Sequence, residues 1–337
     1  MVVEQGWTPR NTKCTSHPYK SGWWHTVIFM PIFNPVKVLT PMVKPISSTY
    51  RYFLFSCLLL ISCEKTMVAD PNYEKEVMDF RQSRVKFLKS GKGYLNLVGL
   101  YWLKEGENSI GSGSDNDLIF PQEFPENFGV AIKSGESIKF DYSQPVTHND
   151  QEDRSSLTFL LDERPNLFSW KSFQWFILES GGNYAVRLRN FENPVLKKPL
   201  NLNFYPVDND WRIMGQYEAY PETRTRTITN IRDIEYDQQA PGIITFKRNG
   251  NKYGLEPNTS GESMSVIFMD GTTGEETFPG GRFLLLDEPD DQGNIILDFN
   301  KALNFPCAFN AFTTCPIPPE RNRLTFFVEA GEKAYDH

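Results

Sequence analysis

Eight polar side chains in the last quarter of the chain carry most of its chemical potential: Arg282, Asp298, Asn300, Asn304, Asn322, Arg323, Glu329 and Lys333. All but Arg282 lie within the stretch "LDFNKALNFPCAFNAFTTCPIPPERNRLTFFVEAGEK", where Pro306, Pro316, Pro318 and Pro319 fix φ and interrupt any regular ladder, and where Asn322 and Arg323 precede a predicted strand, "LTFFVEAGEK". Short polar residues beside such breaks hydrogen-bond local backbone and close turns. One reading is therefore an irregular, internally bonded plug across the end of a barrel. The other has these groups converging on a pocket for a small polar ligand, with all eight as candidate contacts. An enzymatic alternative uses Asp298 and Glu329 as paired carboxylates for acid–base hydrolysis, which requires a set separation that spacing in sequence does not supply.

Cysteine and histidine narrow the choices. Of five cysteines, Cys14 and Cys57 fall in the first 62 residues, Cys63 follows an apolar run, and only Cys307 and Cys315 lie in the β-rich remainder. In an oxidising compartment this pair makes a disulfide the default, with two separate buried thiols, or a reactive or metal-binding thiol, as alternatives. Their spacing is unlike Cys-x-x-Cys, which ranks a redox role last. Beyond residue 62 the histidines are His148, in the polar run "THNDQEDRSS", and the terminal His337. Neither suits a base held by a third group, and zinc sites of the His/Cys type face the same scarcity. No metal or cofactor is expected.

The most apolar segment, "YFLFSCLLLI" from Tyr52 to Ile61, is half the roughly 20 residues that a membrane-spanning helix needs. It matches the core of a signal peptide, with Lys44 and Arg51 before it and no acidic residue between Met42 and Cys63. The following "LISC" resembles the lipobox of bacterial lipoproteins, a resemblance that implies cleavage before Cys63 and lipidation of its thiol. An ordinary cleaved signal and a core strand of a cytosolic protein are the competing readings. The expected organisation is a leader of doubtful coding status over residues 1–41, a signal peptide over 42–62 and a tether over 63–71. The expected location is the bacterial envelope, lipid-anchored on its periplasmic or outer-membrane side. Six of the 35 basic residues and one of the 42 acidic residues lie within residues 1–63, leaving 29 and 41 and a formal charge of −12. Such a surface disfavours nucleic acid, so the lipid anchor carries the expected membrane attachment.

These groups need a frame. "DPNYEKEVMDFRQSRVKFLKSG" predicts a helix over residues 72–90, with Asp70 as cap, Gly91 as stop, and Tyr73, Val77, Phe80, Phe87 and Leu88 on one side. Beyond it, short Val, Ile, Phe and Tyr runs alternate with Gly, Asn, Asp and Pro breaks, and "SGES", "SGGN" and "RNGN" predict tight hairpins. The fold class is mainly β: two packed modules, residues 91–195 and 196–337, the second a sandwich or barrel, preceded by one amphipathic helix, with the boundary in the proline-bearing stretch 190–206. Tyr101, Trp102, Trp170, Trp175, Tyr205 and Trp211 are read first as core, and second as platforms for a sugar or peptide.

Two resemblances add to this reading. "GENSIGSGSDNDLIF" is similar to the opening hairpin of forkhead-associated domains through Gly111 and Asn116–Asp117–Leu118. It departs from them at Ser112, where they carry arginine, and lacks the Ser-Arg-x-x-His loop. The resemblance implies a sandwich-like N-terminal module without phosphopeptide binding. "YLNLVGLYWLKEGENSIGSGSDND", "FYPVDNDWRI", "IFMDGTTGEETFPGGRFLLLD" and the long C-terminal stretch resemble the bacterial family named domain of unknown function 1684. That family carries over no catalytic roles. The functional expectation is an envelope lipoprotein that binds a small polar ligand or a partner through its C-terminal module.

Overall fold

A computed structural model describes residues 72–149, 151, 154–161, 166–260 and 263–336. The signal-peptide reading, Cys63, Asp70 and His337 lie outside the described residues. The described residues form one compact unit, mainly β with a single α-helix among them.

The helix, α1, spans Tyr73–Leu88. Its buried stripe is Tyr73, Val77, Arg81, Arg84 and Leu88, a helical spacing in which two arginines occupy positions where apolar residues are expected. Phe80 and Phe87 lie only half-buried at the margins. The guanidinium of Arg81 donates to the Tyr205 carbonyl (3.0 Å) and stands over the Phe204 ring. That of Arg84 donates to Glu332 Oε1 (3.0 Å) and to the Asn304 carbonyl (2.8 Å). The helix is thus fixed to the C-terminal region through polar contacts at its centre.

The first sheet contains β1 (Leu97–Trp102), β2 (Gly106–Gly111), β3 (Leu118–Ile119), β4 (Gly129–Ser134), β5 (Ser137–His148), β6 (Arg154–Leu160), β7 (Leu167–Trp170), β8 (Phe173–Ser180) and β9 (Asn183–Asn190). Its order is β1-β9-β8-β7-β5-β4-β2-β3, with β6 also on β5. The long β5 carries the curl: its first half pairs with β4 and β6, and its last two residues pair with β7. The result is nearly closed and barrel-like. It encloses an aromatic core of Phe124, Phe128, Phe140, Phe168, Trp170, Phe173 and Trp175. Within the forkhead-associated-like stretch, β3 returns parallel to β2, and the antiparallel partner of β2 is β4. His148 packs its ring on Phe168 at the end of β5.

Two four-stranded sheets follow. One runs β12-β11-β10-β16, from β10 (Arg212–Thr229), β11 (Glu235–Arg248), β12 (Asn251–Leu255) and β16 (Asn294–Asp298). The other runs β13-β14-β15-β17, from β13 (Asn258–Ser260), β14 (Ser263–Phe268), β15 (Arg282–Leu286) and β17 (Leu303–Asn304). Ile244, Phe246 and Leu255 of the first share one core with Val266, Phe268 and Leu284 of the second. The three predicted tight hairpins join β4 to β5, β8 to β9 and β11 to β12. Gly135, Gly181, Gly182, Asn249 and Gly250 there have positive φ, which that turn geometry demands. Of the aromatic residues considered as platforms, Trp170, Trp175, Tyr205 and Trp211 are buried, and Tyr101 and Trp102 are half-buried.

One sequence expectation is corrected here. "LTFFVEAGEK" reads as a strand, but residues 324–333 belong to no named strand. Scattered backbone bonds hold the ends of this segment, among them Leu324 to the Met269 carbonyl and Glu332 to the Ala302 carbonyl, and buried side chains hold its middle. Arg282 is fully buried; its guanidinium donates to the carbonyls of Val328 (2.9 Å), Ala330 and Glu332 (3.3 Å) and to Asp270 Oδ2 (2.9 Å). Asp270 Oδ1 accepts from the Val328 amide at 3.0 Å. Cys307 and Cys315 are joined by a disulfide, Cα atoms 6.3 Å apart. The loop it closes touches Tyr94 through Asn310, Arg187 through Thr314, and Ile231 at the tip of the β10–β11 hairpin.

Two outcomes follow in urea unfolding. Arg84→Met leaves the buried Glu332 carboxylate without its ion-pair partner and lowers stability by about 3–5 kcal/mol. A Cys307→Ser/Cys315→Ser double variant loses about 2–3 kcal/mol through greater freedom of the unfolded chain. An Arg84→Met protein as stable as the parent would show that this pair does not hold the helix.

Candidate functional site

The eight candidate contacts fall into separate neighbourhoods. Asp298 and Asn300 surround the Tyr73 hydroxyl, which donates to Asp298 Oδ1 (2.6 Å) and accepts from Asn300 Nδ2 (2.8 Å). Burial and the adjacent Asp298 carboxylate push the Tyr73 phenol well up. Asn300 also bonds both backbone groups of Asp208. Arg282, Asn304 and Lys333 line the C-terminal strip. Asn304 donates to the Lys333 carbonyl (2.7 Å), and Lys333 pairs with Glu276 (2.9 Å) over the Tyr205 ring. Asn322 and Arg323 lie on and just after a 3-10 turn, Glu320–Asn322. Glu329 is exposed, and Asp298 is engaged by Tyr73 and by Lys301 (3.3 Å). Among the described residues, no group of three or more His, Cys, Asp or Glu side chains is placed to hold a metal.

The Asn322 neighbourhood contains a constellation of a different kind. In β10 the sequence "ETRTRTIT" alternates, so Arg224 and Arg226 share a face of the strand. Arg226 lies directly opposite Gln238 of β11, and its Nε and Nη2 both donate to Gln238 Oε1 (3.3 and 2.8 Å). Between Ala219 and Arg224 the pairing slips; Tyr220, within this bulge, donates to Glu256 Oε1 at 2.6 Å. Glu256 directly follows β12, and Pro257 comes after it. Its carboxylate faces Arg226 Nη1 (3.2 Å), Arg321 Nε (3.2 Å) and Arg224 Nη1 (3.9 Å). Arg224 also stacks on the Tyr220 ring, 3.8 Å from its centroid.

Asn322 sets this carboxylate in place. It is fully buried, accepts from the Glu256 amide (2.8 Å) and donates to the Glu256 and Ile267 carbonyls (2.9 and 2.8 Å). The same turn carries Arg321 to the Glu256 side chain. Arg323 instead pairs with Glu320 at the surface (2.9 Å).

The electrostatics are lopsided. One carboxylate, 9% exposed, meets three guanidiniums, of which Arg226 is 13% exposed while Arg224 and Arg321 are 57% and 56% exposed. Desolvation lowers the Arg226 pKa, with Glu256 acting in the opposite sense. Burial raises the Tyr220 phenol, helped by its bond to Glu256 and opposed by Arg224 and Arg321. Tyr236, nearby, is pushed up to about 12 by burial, with Arg226 pulling the other way. Both tyrosines are therefore neutral at ordinary pH, and the cluster of three arginines and Glu256 carries a surplus of positive charge. Its chemistry is recognition of an anion by forked donors.

Residues 200–333, which contain this constellation, match the model of a family described as Protein of unknown function (DUF1684). The match supports that domain family for this part of the chain. The chain is also similar to the solution NMR structure of an uncharacterized protein from Haloarcula marismortui. The two are 28% identical over 39% of this chain and 75% of that one, with a TM-score of 0.34. No curated protein matches.

Asn322→Ala removes the partners of a buried peptide and costs about 3 kcal/mol in urea unfolding, since each unsatisfied buried group costs about 1–3 kcal/mol. A loss below about 0.5 kcal/mol, the range of ordinary surface substitutions, would show that Asn322 does not set the Glu256 peptide.

Proposed function

We propose that this protein is a bacterial envelope lipoprotein that binds a small anionic ligand at the Glu256 cluster of its C-terminal region. One observation carries the binding reading: Arg224 and Arg321 approach a single carboxylate while more than half of each side chain remains open to solvent. Arg226 is largely consumed by Gln238 and Glu256, so the two outer arginines hold the donors left for a ligand. A charged group recruited there gains charge-assisted hydrogen bonds without first breaking a buried network. The membrane attachment rests on the sequence Tyr52–Cys63. Among the described residues no helix is long and apolar enough to cross a membrane.

Thermal unfolding of the full chain with small acids and neutral sugars tests the binding reading. An anion present at a hundredfold over its Kd stabilises by about 2.7 kcal/mol, whereas neutral sugars leave the midpoint where it was. The effect disappears in Arg224→Ala/Arg321→Ala. Equal stabilisation by sugars, or an anion effect that survives in the double variant, overturns the assignment. For the anchor, Cys63→Ser moves the protein from the membrane to the soluble fraction of a bacterial host; unchanged fractionation overturns the lipoprotein reading.

A further inference from the structure

We infer that the Glu256 cluster selects a dianionic phosphomonoester over a carboxylate; this rests on the anion-binding reading above and names its ligand class. Charge sets the first constraint. Arg224, Arg226 and Arg321 against Glu256 leave a local surplus of two positive charges. A phosphomonoester carries about −1.5 to −2 near neutral pH and matches that surplus, while a monocarboxylate leaves half of it unbalanced.

Donor geometry sets the second. The Nη1 atom of Arg224 and the Nε atom of Arg321 both approach Glu256 Oε1, so the two guanidiniums stand within one oxyanion's reach of each other. Each retains nitrogens beyond the one turned to Glu256, and each side chain is more than half exposed. A phosphoryl group offers three oxygens in a tetrahedral array and can take donors from both arginines together. A carboxylate has two oxygens in one plane, the arrangement Glu256 already supplies from within. The pair is held from behind: Arg224 rests on the Tyr220 ring, and Tyr220 is itself bonded to Glu256. A ligand therefore meets guanidiniums whose freedom is already restricted, which lowers the ordering cost of binding.

The phosphomonoester has two possible sources, a free metabolite or a lipid headgroup, and they are distinguishable. Isothermal titration of the full chain with inorganic phosphate, glycerol phosphate, acetate and succinate measures selectivity. Flotation with phosphatidylcholine vesicles, with and without phosphatidic acid, measures headgroup capture. Glycerol phosphate or phosphatidic acid is expected to bind at least about tenfold more tightly than acetate, with Arg224→Ala and Arg321→Ala each weakening it about tenfold, the loss of one charge-assisted bond. Capture of the vesicles alone supports the same chemistry from a lipid source. If succinate or acetate binds as well as the phosphomonoesters and loses affinity in the same variants, the anion reading survives and the phosphomonoester inference fails. If no anion binds, both fail. Unfolding midpoints of the two variants near that of the parent confirm that lost binding is not lost folding.

Discussion

The Arg282 guanidinium is the point on which the C-terminal half of this fold depends. It is fully buried, paired with an equally buried Asp270, and bonded to three carbonyls of a segment that no strand receives. A buried ion pair is weak support for stability by itself, because desolvating both partners costs several kcal/mol per ion. Its consequence here is positional. Residues 324–333 contain apolar side chains that complete the second core, notably Leu324, Val328 and Ala330, and backbone bonds at Leu324, Phe326, Gly331, Glu332 and Lys333 tie the two ends of the segment. Between those ends Arg282 and Asp270 supply donors to the Val328 and Ala330 carbonyls and an acceptor to the Val328 amide, buried groups that need partners. Arg84 and Glu332 repeat the device one step outward and attach α1 to the same strip.

Much of the framework is legible in the sequence because it follows local rules. Alternation, turn dipeptides and an amphipathic stretch mark the strands, the three hairpins and α1. The misreadings have one physical origin, side chains acting over long sequence separations. Arg81 and Arg84 belong to the buried face of α1 because their partners, Tyr205, Asn304 and Glu332, lie more than a hundred residues away. "LTFFVEAGEK" has strand composition but is held by Arg282, Asp270 and scattered backbone bonds instead of a ladder. Nothing within a window of ten residues announces either fact.

The candidate contacts divide along the same line. Asn300, Asn304 and Asn322 stand out in the sequence as short polar residues near breaks, and each uses its amide to tie a remote backbone group. Asn322 still leads to the Glu256 cluster, since the peptide it holds is that of the clustered carboxylate. The arginines themselves had a legible signal: the alternation of "ETRTRTIT" places Arg224 and Arg226 on one face. The third arginine and the carboxylate had none, because Glu256 and Arg321 are brought there by a strand end and a 3-10 turn 65 positions apart.

Division of labour between the two kinds of arginine then explains why the proposed ligand site lies on the hairpin and not in the C-terminal strip. Arg84 and Arg282 are desolvated and bonded to carboxylates and carbonyls, so a ligand could reach them only by breaking those contacts. Arg224 and Arg321 are solvated, restrained by one shared carboxylate, and have donors to spare. The whole chain carries a formal charge of −7, which opposes long-range attraction of an anion. Beyond the Debye length of about 8 Å at physiological salt that repulsion is largely screened. Recognition at this site must therefore come from short-range forked hydrogen bonds, and an anion that fits them is discriminated by shape and charge after arrival, not by steering on approach.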